Sequence, residues 1–78
     1  MPNRELFGSS RCPHTQEMRE WLELRRSDFV EYDVEADPEA RRRFKSLLDA
    51  PRTVPVLVEN GKVIQVGWQG RGCVVGGS

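Results

Sequence analysis

The residues with the clearest capacity for chemistry lie in one short stretch, "SSRCPHTQEM", around Cys12. Cys12 stands directly before Pro13, with Arg11 on one side and His14 and Thr15 on the other. An ionised thiol is a strong nucleophile, and it forms most readily in an electropositive setting such as a helix N-terminus. The stretch therefore predicts a reactive cysteine, provided that a helix begins at Pro13.

The pattern after Cys12 supports such a helix. Apolar and amphipathic residues recur at spacings of three and four, which predicts an amphipathic helix over residues 13–26. Pro13 suits the first helical position because its missing N–H would have no intrahelical partner there. Cys12 then lies at the N-cap, where free backbone N–H groups and the helix dipole lower a thiol pKa from about 8.5 into a range of about 3.5–7.5.

Three neighbours of Cys12 could assist the thiolate. Thr15 can donate its hydroxyl to the sulfur, and His14 and Arg11 can supply positive charge or a hydrogen bond. The alternative interpretation is that Cys12 is only a small buried residue, which is the usual role of a free cysteine. The polar residues before Cys12 and the proline after it favour the reactive interpretation.

The remaining pattern predicts an α/β fold. A short apolar strand ends at Gly8, and "DFVEYDV" alternates as a second strand. Asp37 and Pro38 open a second helix that stops before Pro51. The run "VPVLVENGKVIQV" predicts a hairpin with a two-residue turn at Asn60-Gly61, in which Glu59 faces Lys62 and Val58 faces Val63. The order β-α-β-α-β-β gives a mixed four-stranded sheet with a parallel βαβ unit.

Length and charge narrow the class of protein. A chain of 78 residues is expected to form one domain over residues 1–68, followed by an irregular glycine-rich tail over residues 69–78. Twelve basic and twelve acidic side chains cancel, which argues against nucleic acid or an anionic membrane as a partner. With no signal-like apolar run, the expected location is the cytoplasm, where thiols stay reduced. Two cysteines and one histidine are too few for a structural zinc site, so no metal is expected.

Three segments together resemble the glutaredoxin family of the thioredoxin fold over roughly residues 4–67. They are "ELFGSSRCPHTQEMREWL", "FVEYDVEADPEARRRF" and "RTVPVLVENGKVI". The family motif is Cys-Pro-x-Cys; Cys12 and Pro13 match it, His14 takes a position usually held by an aromatic residue, and Thr15 replaces the second cysteine. The family's Thr-Val-Pro run, whose proline is cis and whose backbone pairs with glutathione, matches residues 53–55.

The resemblance implies a glutathione-dependent thiol–disulfide oxidoreductase. Thr15 cannot form a disulfide, so the implied mechanism is a monothiol cycle on glutathionylated or disulfide protein substrates. Cys12 would be the nucleophile, with Thr15 as thiolate stabiliser and His14 as tuner. The implied glutathione-binding residues are Arg11, Pro13, Arg52, Thr53, Val54 and Pro55. Glutathione is a co-substrate here, and the protein is expected to be a monomer, with a weak dimer left open.

The chain also departs from the family pattern. Ser9 replaces a frequent lysine, "QVGWQGRG" replaces a Gly-Gly pair followed by acidic residues, and the terminal helix is short or absent. Trp68 would then cover the core in place of that helix, or line the mouth of the site. Cys73 is either a displaced resolving thiol bonded to Cys12 or, as the sequence favours, an incidental tail thiol, since sequence cannot establish the distance between their Cα atoms.

Two other functions are compatible with these residues. The first is a non-enzymatic thioredoxin-fold binding module that has lost turnover. The second is an iron–sulfur carrier that holds a cluster with Cys12 and glutathione from two protomers. Family members in that role usually carry Cys-Gly-x-Ser, so this hypothesis ranks last.

Overall fold

Two helices and six strands make up the part of the chain that the structure, a computed structural model, describes: residues 3–48 and 52–75. In chain order they are β1 (Arg4–Gly8), α1 (Pro13–Leu24), β2 (Val30–Asp33), α2 (Pro38–Leu47), β3 (Thr53–Val54), β4 (Val56–Glu59), β5 (Lys62–Val66) and β6 (Cys73–Val74). In these described ranges, neither helix is long and apolar enough to cross a membrane.

The main sheet has four strands in the order β2-β1-β4-β5. β1 and β2 are parallel, whereas β1 with β4 and β4 with β5 are antiparallel. The predicted mixed sheet and the predicted parallel βαβ unit are therefore confirmed. The hairpin register is also as predicted, because Glu59 pairs with Lys62 and Asn60 and Gly61 both have positive φ, as a type I′ turn requires.

The two helices cover opposite faces of the sheet. Successive residues of a strand point to opposite faces, so Leu6 packs with α1 while Phe7 packs with α2. On the α1 face, the ring of Trp68 packs against Trp21 at 5.5 Å between centroids. Trp68 thus covers the α1 face of the core, the first of the two predicted roles for this residue.

The first helix ends at Leu24, two residues before the predicted end. Arg26 has φ 55°, and its N–H donates to Glu23 O while Ser27 N–H donates to Leu22 O, each at 3.0 Å. These bonds form a Schellman motif, which satisfies the last carbonyls of α1 and stops the helix. The amphipathic pattern continues to residue 26 but could not reveal this reversal, because the left-handed residue is an arginine.

The tail is not wholly irregular, contrary to the sequence-based prediction. Cys73 and Val74 form β6, which pairs antiparallel with β3, and residues 76–78 lie outside the described residues. Gly67 N–H donates to Pro55 O at 2.7 Å, and Trp68 and Arg71 close a turn between β5 and β6. β6 forms because β3 offers an edge whose backbone groups need hydrogen-bond partners.

Candidate functional site

Cys12 is the N-cap residue of α1, as predicted. Its backbone is extended, with φ −94° and ψ 115°, and Pro13 follows at the first helical position. Its carbonyl accepts hydrogen bonds from Thr15 N–H at 3.1 Å and Gln16 N–H at 3.4 Å. The side chain makes no capping hydrogen bond and is 3% exposed. The sulfur therefore lies at the positive end of the helix, buried against the sheet.

The sulfur of Cys12 is bonded to that of Cys73, and the two Cα atoms lie 6.0 Å apart. This spacing falls within the usual disulfide range. The favoured interpretation of Cys73 as an incidental tail thiol is wrong, because β6 carries it to the start of α1. The two residues are 61 positions apart, so only the three-dimensional course of the tail could reveal the pairing.

The Thr-Val-Pro run lies beside the disulfide. The Val54–Pro55 peptide bond is cis, as the family resemblance implied, and Val54 O lies 3.9 Å from Cys12 Sγ. The backbone of β3 pairs with the tail: Thr53 is opposite Val74, and Val54 is opposite Cys73. Two of the predicted glutathione-binding residues thus pair with the chain's own tail.

Gly72 permits this close approach of β6 to β3. A Cβ atom at Gly72 would lie 2.5 Å from Val54 O and would also overlap the Thr53 methyl group. Any side chain at this position would therefore push the two strands apart. The glycine-rich composition of the tail is visible in the sequence, but the requirement for glycine at position 72 is not, because it depends on the pairing of two distant strands.

The hydroxyl of Thr15 is buried and accepts a hydrogen bond from Ser9 N–H at 3.2 Å. This bond ties the first turn of α1 to the end of β1. The ring of His14 is partly exposed, and its Nδ1 lies 2.9 Å from a carboxylate oxygen of Glu17. The predicted roles of Thr15 and His14 at the sulfur stay predictions.

A cationic cavity of about 290 Å³ opens next to β6. Its lining contains four basic side chains, one carboxylate and three apolar side chains: Arg11, Arg41, Lys45, Arg52, Glu35, Val34, Phe44 and Val75. Arg11 and Arg52 were predicted site residues, whereas Arg41 and Lys45 were not among the predicted site residues. The spacing of Arg41 and Lys45, one helical turn apart, was the signal that could have placed them on one face.

The cations of the cavity differ in how far their hydrogen bonds are satisfied. Arg41 donates to Val34 O at 3.0 Å and to Glu35 O at 2.7 Å. Among the described residues, Arg52 Nε is buried without a hydrogen-bond partner, while its terminal NH2 donates to Lys45 O at 3.4 Å. An anion in this cavity would therefore meet a net positive charge, because four cations and one carboxylate line it.

The loop beyond β2 forms another wall of the cavity and is held by Asp33. Burial raises the pKa of Asp33. Hydrogen bonds from the Glu35 and Ala36 N–H groups and from Ser10 lower this pKa by more than burial raises it, so the pKa lies below its usual value. Ser9 donates its hydroxyl to Glu35. These contacts join the loop before Cys12 to the loop after β2 and keep Glu35 at the cavity wall.

No cluster of three or more metal-ligating side chains occurs within residues 3–48 and 52–75. Within those ranges, the fold instead brings together the disulfide of Cys12 and Cys73, the cis-proline Pro55 and the cationic cavity. Such an arrangement has the chemistry for thiol–disulfide exchange beside a positively charged cavity.

Solved structures share this fold. A mutant of a thioredoxin-like protein superposes with a TM-score of 0.72 at 26% identity, covering 88% of this chain and 86% of that one. A glutaredoxin from Archaeoglobus fulgidus gives 0.69 at 24% identity, covering 88% and 78%, and wheat glutaredoxin gives 0.70 at 22%, covering 85% and 62%. The thioredoxin-like α/β fold is thereby confirmed.

Sequence comparison gives the family. Among curated protein sequences, none matches this chain. The family model described as glutaredoxin matches residues 5–64, which is most of the chain and includes Cys12, Pro13 and the Thr-Val-Pro run. The chain therefore belongs to the glutaredoxin family.

Proposed function

We propose that this protein is a glutathione-dependent thiol–disulfide oxidoreductase that transfers glutathionyl groups through Cys12. The family and the fold suggest thiol–disulfide oxidoreductase activity in general terms. The observation that carries the proposal is the position of Cys12, which stands at the start of α1, beside Val54-Pro55 and already in bonding contact with another sulfur. The proposed setting is the cytoplasm, which supplies reduced glutathione.

The proposed cycle uses one protein thiol. The thiolate of Cys12 attacks the glutathione sulfur of a glutathionylated protein, a Cys12–glutathione disulfide forms, and the substrate leaves as a thiolate. A second glutathione thiolate then attacks this disulfide, which releases oxidised glutathione and restores Cys12. Thr15 stands where many family members have a second cysteine, and its hydroxyl cannot resolve the intermediate.

The helix start supplies the stabilisation that the thiolate needs. The sulfur belongs to the N-cap residue of α1, where the positive end of the helix dipole favours the thiolate over the thiol. Thr15 holds this turn against the end of β1 through Ser9. A preorganised turn lowers the cost of generating charge on Cys12 and on the departing sulfur.

The cationic cavity supports glutathione as the co-substrate. Glutathione carries two carboxylates, and Arg11, Lys45 and Arg52 line a cavity close to the disulfide. Charge-assisted hydrogen bonds to a carboxylate are stronger than neutral ones, and the guanidinium groups of Arg11 and Arg52 are suited to such bonds. The proposed orientation therefore directs a glutathione carboxylate toward these side chains and its sulfur toward Cys12.

Two pairs of variants test this function with a glutathionylated peptide as the substrate. Turnover with glutathione should be lost in Cys12→Ser and persist in Cys73→Ser, because the monothiol cycle needs only Cys12. Arg52→Met should raise the KM for glutathione by roughly fivefold with little change in kcat, since a charge-assisted contact is lost from binding. Arg42→Met, on an exposed helix position outside the cavity, is the matched control.

Each alternative outcome has a defined meaning. Turnover that survives in Cys12→Ser would refute the proposal. A folded wild-type protein that neither turns over nor forms an adduct with oxidised glutathione would favour the binding module. Equal KM values for Arg52→Met and Arg42→Met would remove the cavity from the glutathione site.

A further inference from the structure

The tail occupies the backbone edge that lies next to Cys12. β6 pairs antiparallel with β3, and Val75 N–H donates to Arg52 O at 3.0 Å at the end of this pairing. Cys73 lies directly opposite Val54, the residue before the cis-proline. The tail therefore presents a cysteine in an extended backbone to Cys12, with the same chemistry as an extended disulfide substrate.

We propose that Cys73 is the resolving thiol of Cys12 and that β6 alternates with glutathione or an extended substrate on the edge of β3. This inference rests on the proposed function, because it needs Cys12 to form a mixed disulfide first. It adds a second route out of that intermediate, in which the protein supplies the second sulfur itself. Thr15 need not be a cysteine for this route.

The proposed step balances in atoms and electrons. In the mixed disulfide, Cys12 is bonded to the sulfur of a substrate or of glutathione. The Cys73 thiolate attacks Cys12 Sγ, the Cys12–Cys73 bond forms, and the other sulfur leaves as a thiolate. The disulfide substrate has then gained two electrons and the protein has lost two. Two molecules of a low-molecular-weight thiol, such as glutathione, reduce the protein disulfide again.

The fold keeps Cys73 close to the site after the disulfide opens. Trp68 packs on Trp21, and Gly67 N–H donates to Pro55 O, so the start of the tail stays anchored to the body of the protein. Cys73 follows Trp68 by five residues. A thiol on so short a tether has an effective concentration in about the millimolar range, which favours intramolecular attack over attack by dilute external thiols.

Occupation of β3 must be exclusive. Each backbone N–H or C=O that bonds to β6 is unavailable to a second strand, so a substrate cannot pair with Thr53 and Val54 while β6 is in place. Cys12 is also only 3% exposed in this disulfide-bonded form. Entry of a substrate therefore requires the reduced tail to leave β3, and its return accompanies resolution.

A single-turnover reaction with one equivalent of oxidised glutathione tests the proposal. Each reduced protein is mixed with the oxidised glutathione, the reaction is quenched in acid, and the products are identified by mass spectrometry. Wild type should pass through a glutathione adduct to the internal disulfide and release two glutathione molecules. Cys73→Ser should stop at a stable adduct on Cys12, whereas Cys12→Ser should form neither product.

Gly72→Ala tests the pairing of β6 without changing a sulfur. Its Cβ would meet the Val54 carbonyl, so β6 is displaced and resolution should slow by about tenfold while adduct formation keeps its rate. Gly61→Ala is the matched control, since it strains a hairpin turn with positive φ but meets no neighbouring atom. Its resolution rate should equal that of wild type.

The outcomes separate this inference from the proposed function. A wild-type adduct that persists without an internal disulfide overturns the resolving role and leaves the proposed function intact. A folded Cys73→Ser that forms no adduct overturns the proposed function itself. If Cys73→Ser does not fold, as judged by circular dichroism, Gly72→Ala decides: resolution at the wild-type rate overturns the inference, and slowed resolution supports it.

Discussion

The two helices of this protein begin with the same sequence pattern, but the first residue of the pattern has a different role in each. An N-cap residue is followed by proline in both: Cys12-Pro13 at α1 and Asp37-Pro38 at α2. At α2, Asp37 accepts hydrogen bonds from Glu39 N–H at 3.0 Å and Ala40 N–H at 3.3 Å. At α1, the side chain of Cys12 caps nothing and forms a bond to a residue 61 positions away.

The difference shows how one local motif can serve stability or reactivity. Where the N-cap side chain accepts hydrogen bonds from N–H groups of the first turn, those donors are satisfied and less of the positive potential of the helix start remains for a ligand. The start of α1 leaves this potential to the sulfur of Cys12 and depends on the disulfide to Cys73 for its attachment to the tail. We therefore expect α2 to be stabilised locally and the start of α1 to be stabilised by a redox-dependent link.

Reduction of the disulfide should have the largest effect on stability. A closed loop of this length lowers the entropy of the unfolded chain by an amount equivalent to about 4 kcal/mol. Wild type treated with a strong reductant should lose close to this free energy of unfolding in urea titrations. Cys73→Ser should match reduced wild type and should not respond to the reductant. Coincident wild-type curves with and without the reductant would contradict the expectation.

Removal of the cap of α2 should have a smaller effect that does not depend on redox state. Asp37→Ala should lower the free energy of unfolding by about 1 kcal/mol, because Glu39 and Ala40 lose their N-terminal acceptor. Asp37→Asn is the control, since asparagine caps equally well. Glutathione exchange at Cys12 should remain unchanged in both variants. A loss of exchange in Asp37→Ala alone would mean that the two helix starts are coupled, and the comparison would fail.

The same contrast explains how much of the fold the sequence predicted. Local signals were sufficient where the determinants are local: Asp37-Pro38 marked the start of α2, and Asn60-Gly61 fixed the hairpin. Leu6 and Phe7 indicated a strand at β1, but not which residue faces which helix. That assignment depends on the position of β1 in the sheet. The end of α1 was missed because Arg26 adopts a left-handed conformation without being a glycine.

The candidate site was only half predictable for the same physical reason. Cys12 could be placed at a helix start because Pro13 and the amphipathic pattern are adjacent to it. The partner sulfur could not, since Cys73 reaches Cys12 only through the pairing of β6 with β3. Similarly, the cavity joins Arg11 to Arg41 and Lys45, which lie on another element of the chain. Contacts between distant segments leave no local pattern.

The attachment of α2 to the sheet involves a further noncovalent contact, the ion pair between Arg43 and Glu5. Both terminal nitrogens of Arg43 bond to the Glu5 carboxylate at 2.8 Å, and the guanidinium lies over the rings of Phe7 and Tyr32 at 5.3 and 5.5 Å. The hydrogen bond from Arg43 lowers the pKa of Glu5 below its ordinary value of 4.5, although burial opposes this effect. About half of the Arg43 side chain is exposed, so water screens the pair.

This ion pair should have the smallest effect and a defined dependence on pH. Because the pKa of Glu5 is lowered on folding, its stabilisation is fully present above the unfolded pKa of about 4.5 and is lost as the pH falls through the folded pKa. A double-mutant cycle of Glu5→Gln and Arg43→Met should give a coupling of about 0.2–1 kcal/mol at pH 7 and almost none in strong acid. The same cycle with Arg42→Met in place of Arg43→Met should give no coupling at either pH. A coupling that stays constant into acid would contradict the expectation, because it would not depend on the charge of Glu5; contacts of Arg43 with Phe7 and Tyr32 cancel in the cycle.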